Sequence, residues 1–559
     1  MSVRFAIATA VVWALVAQAF RFRKSGSTSS TGGCAELRME NNGTHYTVPV
    51  EIGTPGQVFH VVPDTGSNAL IIPSCVCSQE GNCGKESACF TGTNRSSTFA
   101  LNRTRGNELQ VMQVTFGSGS VQTVLAFDVA NVGGINVHMT DGILLMTNQA
   151  LHLPGAFEGI LGLGVPNASD AMEAHERAAI KAAAKAARNM TKDLENVPEW
   201  LKDVIPQASG EMIPDHGAGR ADVDSTMRPH QPSGFLEQAD IHHFSICFNE
   251  EGGGVLKLSD APAKHRLQNI GLEHWGLDFR GVSVGGDTAV EAEALFCKSE
   301  NMSADQKTPC AIIPDSGTTA IVGPKAQVAT LLAGICDGWA RCRDNHTKLV
   351  QAAKAASKAA SEVYGFDPWG LTADTKATVL MALLRDCGTW LAEDGSIDDE
   401  GLPNLHFHVR GRGSEMQVLK IPASSYIMLR FEEEVKPAYV EIPGLGAVKV
   451  ANHTGKYGRV CMPALSEMGY KTVKHGDVWI LGLPLFSQYK VGYDLSPPVA
   501  MSFTDLKDFP CGTCDAAPKA NLLFTRSEGG AVRNKAGHSG MRTVRGPMRI
   551  PDIDTSRPL

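Results

Sequence analysis

Two stretches decide the fold: VVPDTGSNAL at Val61–Leu70 and IIPDSGTTAIV at Ile312–Val322. Each runs two aliphatic residues, a proline, an aspartate, a hydroxyl residue and a glycine, with Asp64 and Asp315 lying 251 positions apart. One Asp-Ser/Thr-Gly triplet means little, because Asp and Gly crowd ordinary turns. Here the surroundings repeat as well. FEGILGLG follows the first copy with Ile160-Leu161-Gly162, and VWILGLP follows the second with Ile480-Leu481-Gly482. Aspartate to glycine is 98 residues in the first half and 167 in the second. A helical stretch in the second half is about the size of the difference, so the chain reads as an internal duplication.

The 559 residues, 43% of them hydrophobic, are enough for two or more domain-sized units. A net charge of -8 argues against a nucleic-acid partner, which would call for concentrated positive charge. At the start, Arg4, the apolar run Phe5 to Val16 and the small-x-small triplet Ala17-Gln18-Ala19 read as a signal peptide over residues 1–19. The run is short of the ~20 residues a spanning helix needs, so no stable transmembrane segment is expected after signal removal. Eight Asn-x-Ser/Thr sequons, at Asn42, Asn94, Asn102, Asn167, Asn189, Asn301, Asn345 and Asn452, exceed what 21 asparagines would give at random, and make a glycoprotein the expectation. Together with fourteen cysteines they point to the secretory pathway, with an extracellular or vacuolar/lysosomal destination.

Short β-branched and apolar runs broken by Gly, Pro, Asn and Ser fill Tyr46 to Phe127, Phe244 to Val322 and Leu405 to Phe503. The fold class expected is all-β. Two stretches interrupt that texture: residues 170–203, rich in Ala, Lys and Glu, with a polar linker to about 234, and residues 325–393. The boundaries expected are a short N-terminal extension over 20–45, a first β unit over 46–240 with its helical insertion at about 170–234, and a second over 241–509 with its insertion at about 325–393. A disordered tail, 510–559, carries eight Lys and Arg after Cys514.

On the duplicated DTG/DSG loops and ILG segments, the sequence resembles the pepsin-like (family A1) aspartic proteases from about Tyr46 to Phe503, the insertions excepted. The resemblance implies a bilobal fold of two pseudo-symmetric β lobes with a substrate cleft between them. Each lobe would supply one catalytic aspartate, Asp64 and Asp315. Thr65 and Ser316 match hydroxyls that cross-link the two loops, and Ser67 and Thr318 those that bond the outer carboxylate oxygens. Gly66 and Gly317 let the backbone pass close behind the carboxylates. The family's flap, a Tyr-Gly-Ser/Thr-Gly hairpin closing over substrate, matches Phe116-Gly117-Ser118-Gly119, with phenylalanine for tyrosine. Ile71 stands where the family has the tryptophan that bonds that tyrosine, so both partners of one hydrogen bond are gone together. Pro63 and Pro314 replace the larger apolar or aromatic residue usual before each aspartate.

The function so implied is aspartic endopeptidase activity on polypeptide substrates, favouring bulky apolar residues at acidic pH, with no cofactor and as a monomer. The alternative is a catalytically impaired pseudoprotease acting as a peptide-binding or inhibitor module, for which the altered flap speaks. Both aspartates and all four hydroxyls speak against it. Family zymogens carry a longer basic prosegment than the about 26 residues between Ala19 and Tyr46, and the lysine-bearing insertion at 170–203 is a candidate shield for the cleft. By the resemblance, Cys297 with Cys310 and Cys387 with Cys461 would form disulfides. Cys75, Cys77, Cys83 and Cys89 are spaced too irregularly for a four-thiolate zinc site, and disulfides are expected there. Cys511-Gly-Thr-Cys514 has redox-motif spacing without a βαβ setting, so a structural bridge is expected. His406 and His408 alternate on one strand without a third ligand, and no metal is expected.

Overall fold

The computed structural model describes residues 32–40, 43–83, 88–103, 106–116, 119–151, 158–166, 233–249, 253–287, 292–351, 374–392, 397, 401–413, 415–442, 446–514 and 542–543. The signal segment, the helical stretch at 170–203 and most of the tail lie outside them.

The architecture is all-β and bilobal in its sheets. A 14-stranded sheet contains the strands of the first half and continues into strands from the second, while an eight-stranded sheet belongs to the second half. The two duplicated segments fold alike. Gln57–Asp64 pairs in parallel with Ile160–Gly162, which pairs antiparallel with Leu70–Pro73. Cys310–Pro314 pairs in parallel with Gly476–Leu481, which pairs antiparallel with Ile321–Gly323. In each half a strand therefore leaves its aspartate, turns, and returns on the far side of the Ile-Leu-Gly strand. The glycine of that strand makes the crossing possible: a methyl group on Gly162 would lie 2.3 Å from Ala69 N, and one on Gly482 2.3 Å from Thr318 O.

Residues 34–40, read from sequence as part of an N-terminal extension, form a strand. Its first part, Cys34 to Leu37, pairs with Gly254–Leu258 and its last, Arg38 to Glu40, with His45–Ile52, and so it joins the two halves of the long sheet. Its alternation of buried Ala35 and Leu37 with exposed Glu36 is the ordinary period-two pattern. The run was too short and too close to the chain's start to stand out.

Within 325–393, Lys325–Gly338 and Asp374–Arg385 are helices, and residues 340–351 are helical as well. Val328, Leu331 and Ile335 bury one face of the first, at the spacing an amphipathic helix requires. Trp339 and Trp390 meet edge to face at 5.4 Å. The second-half core is aromatic, with Phe296 stacked on Trp479 at 5.1 Å and Phe279 against both. Each such buried ring stabilises the fold by roughly 1.5–3 kcal/mol.

All fourteen cysteines are paired. Cys297–Cys310 and Cys387–Cys461 form, as do Cys75–Cys89, Cys77–Cys83 and Cys336–Cys342. The cysteines of CGTC also lie in structural bridges, Cys514 with Cys34 and Cys511 with Cys247. A four-residue motif cannot announce partners hundreds of residues away. Further along the tail, Arg542–Thr543 adds a short parallel strand to Met428 and Leu429.

Candidate active site

Asp64 ends the strand Gln57–Asp64, and Asp315 follows directly on Cys310–Pro314. Both are fully buried. In each loop the glycine amide donates to the inner carboxylate oxygen: Gly66 N to Asp64 Oδ1 at 3.0 Å and Gly317 N to Asp315 Oδ1 at 2.9 Å. The outer oxygens accept hydroxyls, Ser67 Oγ donating to Asp64 Oδ2 at 2.5 Å and Thr318 Oγ1 donating to Asp315 Oδ2. Each carboxylate thus accepts two bonds, which favour its charged form against burial.

The loops are cross-linked reciprocally. Thr65 Oγ1 donates to Pro314 O at 3.0 Å and accepts from Ser316 N at 3.0 Å. Ser316 Oγ donates to Pro63 O at 2.7 Å and accepts from Thr65 N at 3.2 Å. These four bonds bring the aspartates together. A methyl group on Gly317 would lie 2.4 Å from Asp64 Oδ1 and 3.3 Å from Asp315 Oδ1, so the inner oxygens of both carboxylates border one small space.

Pro63 and Pro314 supply the carbonyls the hydroxyls use. Their missing N–H groups cost nothing on the crossing-strand side, because Val62 N donates to Gly159 O and Asp315 N to Leu481 O.

The segment expected to form a flap lies in an antiparallel hairpin, Val111–Phe116 with Gly119–Val132, in which Phe116 faces Gly119. Gly117 and Ser118 lie outside the described residues. Ile71 is buried in an aliphatic cluster with Val121, Leu125, Leu144 and Ile160, against which Met112 and Val114 of the hairpin pack. His406 and His408 are engaged singly, by Gly286 O at 3.1 Å and Ser283 Oγ at 2.9 Å.

The residues matched by the model "Eukaryotic aspartyl protease", 45–189, contain the first of these loops. Over these residues the chain is similar to the pepsin-like aspartic proteases. Pepsin A of Bos taurus is 25% identical over 303 residues, 52% of this chain and 59% of its own. Pepsin A of Callithrix jacchus is 34% identical over 301 residues, 53% of this chain and 57% of its own. Renin of Canis lupus familiaris is 36% identical over 123 residues, 22% of this chain and 29% of its own. The chain thus spans little more than half the length of these pepsins and less than a third of the renin.

Within this pepsin-like frame, three aromatic rings under the first loop were not found by sequence reasoning. Trp275 Nε1 donates to Leu163 O at 2.9 Å, and Leu163 N donates to Asp64 O at 2.7 Å. Tyr493 stacks on Phe244 at 4.6 Å, packs against Trp275 at 4.8 Å, and reaches Thr65 Oγ1 with its hydroxyl at 3.5 Å. Burial, reinforced by the Asp315 and Asp64 charges, pushes its phenol well above the usual range. No local signal marks these residues, because each acts on a loop far away in sequence.

Proposed function

We propose that this chain is an aspartic endopeptidase in which Asp64 and Asp315 share one proton and activate a water between them. The observation carrying this reading is the convergence of the two inner carboxylate oxygens on the space beside Gly317. Two carboxylates that close cannot both ionise cheaply, behaviour for which aspartic proteases are themselves the standard example, and the pair titrates in two macroscopic steps. The ionised member takes a proton from the water as its oxygen attacks the scissile carbonyl carbon. The protonated member donates to the carbonyl oxygen as the carbon becomes tetrahedral. Gly66 N, Gly317 N, Ser67 and Thr318 hold the carboxylates in place, and the cross-links of Thr65 and Ser316 fix their separation.

The substrates proposed are polypeptides with bulky apolar residues at the cut, the preference that the family resemblance implies. An acidic optimum follows from the shared proton. A secretory location is supported by seven disulfides. Among the described residues no helix is long and apolar enough to cross a membrane.

The test is cleavage of an unfolded protein, such as denatured globin, from pH 3 to 7 by the chain and by its Asp64→Ala variant. Acid-optimal cleavage that the variant lacks is expected. A chain that binds a hydroxyl-bearing transition-state mimic of the peptide bond yet cleaves nothing would instead be a peptide-binding module with a formed cleft.

A further inference from the structure

The bonds between the two loops are symmetric, but their support is not. Thr65 Oγ1 and Ser316 Oγ each donate one bond and accept one from a backbone amide, and a hydroxyl oxygen has a second lone pair to offer. Thr65 alone receives another donor: Tyr493 Oη, from the strand Tyr489–Asp494 of the second half. Among the described residues no third group reaches Ser316 Oγ. The phenol is fully buried, and Thr65 Oγ1 is its one polar contact there. A buried phenol must place its proton somewhere, which fixes the direction of the bond. The ring has little freedom to do otherwise, held between Phe244 and a Trp275 whose indole is tied to Leu163 O.

We propose that Tyr493 is a positioning residue for the Asp64 half of the dyad, acting through Thr65, and that it makes two otherwise equivalent carboxylates unequal. The proposal rests on the reading of Asp64 and Asp315 as a catalytic pair. The positive end of the phenol dipole faces Thr65 and the dyad beyond it, which favours negative charge on the pair. It also polarises the Thr65 hydroxyl that donates to Pro314 O, so the two loops are held more tightly. Among the described residues Ser316 Oγ, the counterpart of Thr65 Oγ1, receives no such third donor, and the sharing of the proton is biased accordingly.

The test is Tyr493→Phe in the full chain. It keeps the ring, its stacking and the fold, and removes only the hydroxyl. Against the same unfolded substrate, kcat should fall about two- to tenfold with KM unchanged, the scale of one modest hydrogen bond. The acid limb of the pH dependence of kcat/KM should move to higher pH, because the dyad anion has lost a favourable dipole. A role in packing alone would leave that limb in place. If the chain cleaves in an Asp64-dependent way and Tyr493→Phe matches it in both kcat and acid limb, the positioning role is wrong and the dyad reading stands. If the chain shows no Asp64-dependent cleavage, both fall together.

Discussion

At the scale of single residues, the proposed dyad is a matter of what is absent as much as what is present. Gly317 has no side chain where one would stand between the carboxylates, 2.4 Å from Asp64 Oδ1. Gly317→Ala should therefore abolish turnover, by at least about a hundredfold in kcat, since a misplacement of one ångström at a reacting centre has that effect. Thermal unfolding should shift far less, because the loop's cross-links through Thr65 and Ser316 do not involve residue 317. A variant retaining most of its kcat would mean that the space beside Gly317 is not where the chemistry happens. Legibility at this scale was uneven for a physical reason. Asp64, Ser67 and their counterparts are read easily because each bonds within three residues of itself, and Thr65 and Ser316, which bond across the loops, because the pattern occurs twice. Tyr493 was invisible: a phenylalanine there would pack identically, and only the distance to Thr65 distinguishes the hydroxyl.

At the scale of elements, each aspartate is carried by a strand whose backing is a second strand from much further along. For Asp315 that backing is Gly476–Leu481, and the turn entering it contains His475. His475 Nδ1 lies 3.0 Å from Thr308 Oγ1, and Thr308 precedes the strand Cys310–Pro314 by two residues. Burial, together with the cations Lys307, Lys474 and Arg412, lowers its pKa to about 4 from an ordinary 6.5. The sign follows directly. In the folded chain the ring stays neutral down to about pH 4, whereas the unfolded chain protonates it below about pH 6.5. The neutral ring's contribution is fully present above the unfolded value and is lost as the pH falls toward about 4. The loss has a ceiling of about 3 kcal/mol. Urea unfolding at pH 7, 5.5 and 4 should show the chain losing up to this amount relative to His475→Gln, which keeps a polar partner for Thr308 without titrating. Curves for the two proteins that stay parallel across that range would remove His475 as the cause. An enzyme proposed to work in acid would then carry an acid-labile turn at the far end of the strand pair whose other end holds Asp315.

At the scale of the whole molecule, the first described strand and the segment 511–514 are tied together at one sheet. The strand Cys34–Glu40 lies between the halves, and Cys34 is bonded to Cys514, while Cys511 is bonded to Cys247 in His243–Phe248. These two strands flank Gly254–Leu258, where Cys34 faces Lys257 and Cys247 faces Val255. The four sulfurs gather with Val255 and Leu506 in a small apolar cluster of their own. The CGTC spacing marked two thiols as structural but carried no information on their partners. The duplication, by contrast, was legible because it repeats over whole segments. The expected consequence of the clamp is a loss of about 2–4 kcal/mol when Cys34 and Cys514 are both changed to serine, and a similar loss for the Cys247 and Cys511 pair. The two losses should add to within about 1 kcal/mol, although the bridges attach to nearly the same tail residues. With Cys247–Cys511 intact, the loop that Cys34–Cys514 closes still runs from residue 34 to residue 247 before returning through the first bridge. Closure entropy grows only with the logarithm of loop length, so shortening a loop that long changes it little. Guanidinium unfolding of the two double variants and the quadruple variant, in oxidising buffer, measures all three. A quadruple variant much less stable than the sum would show that the bridges act through the folded cluster around Val255 and Leu506, and not through the unfolded chain.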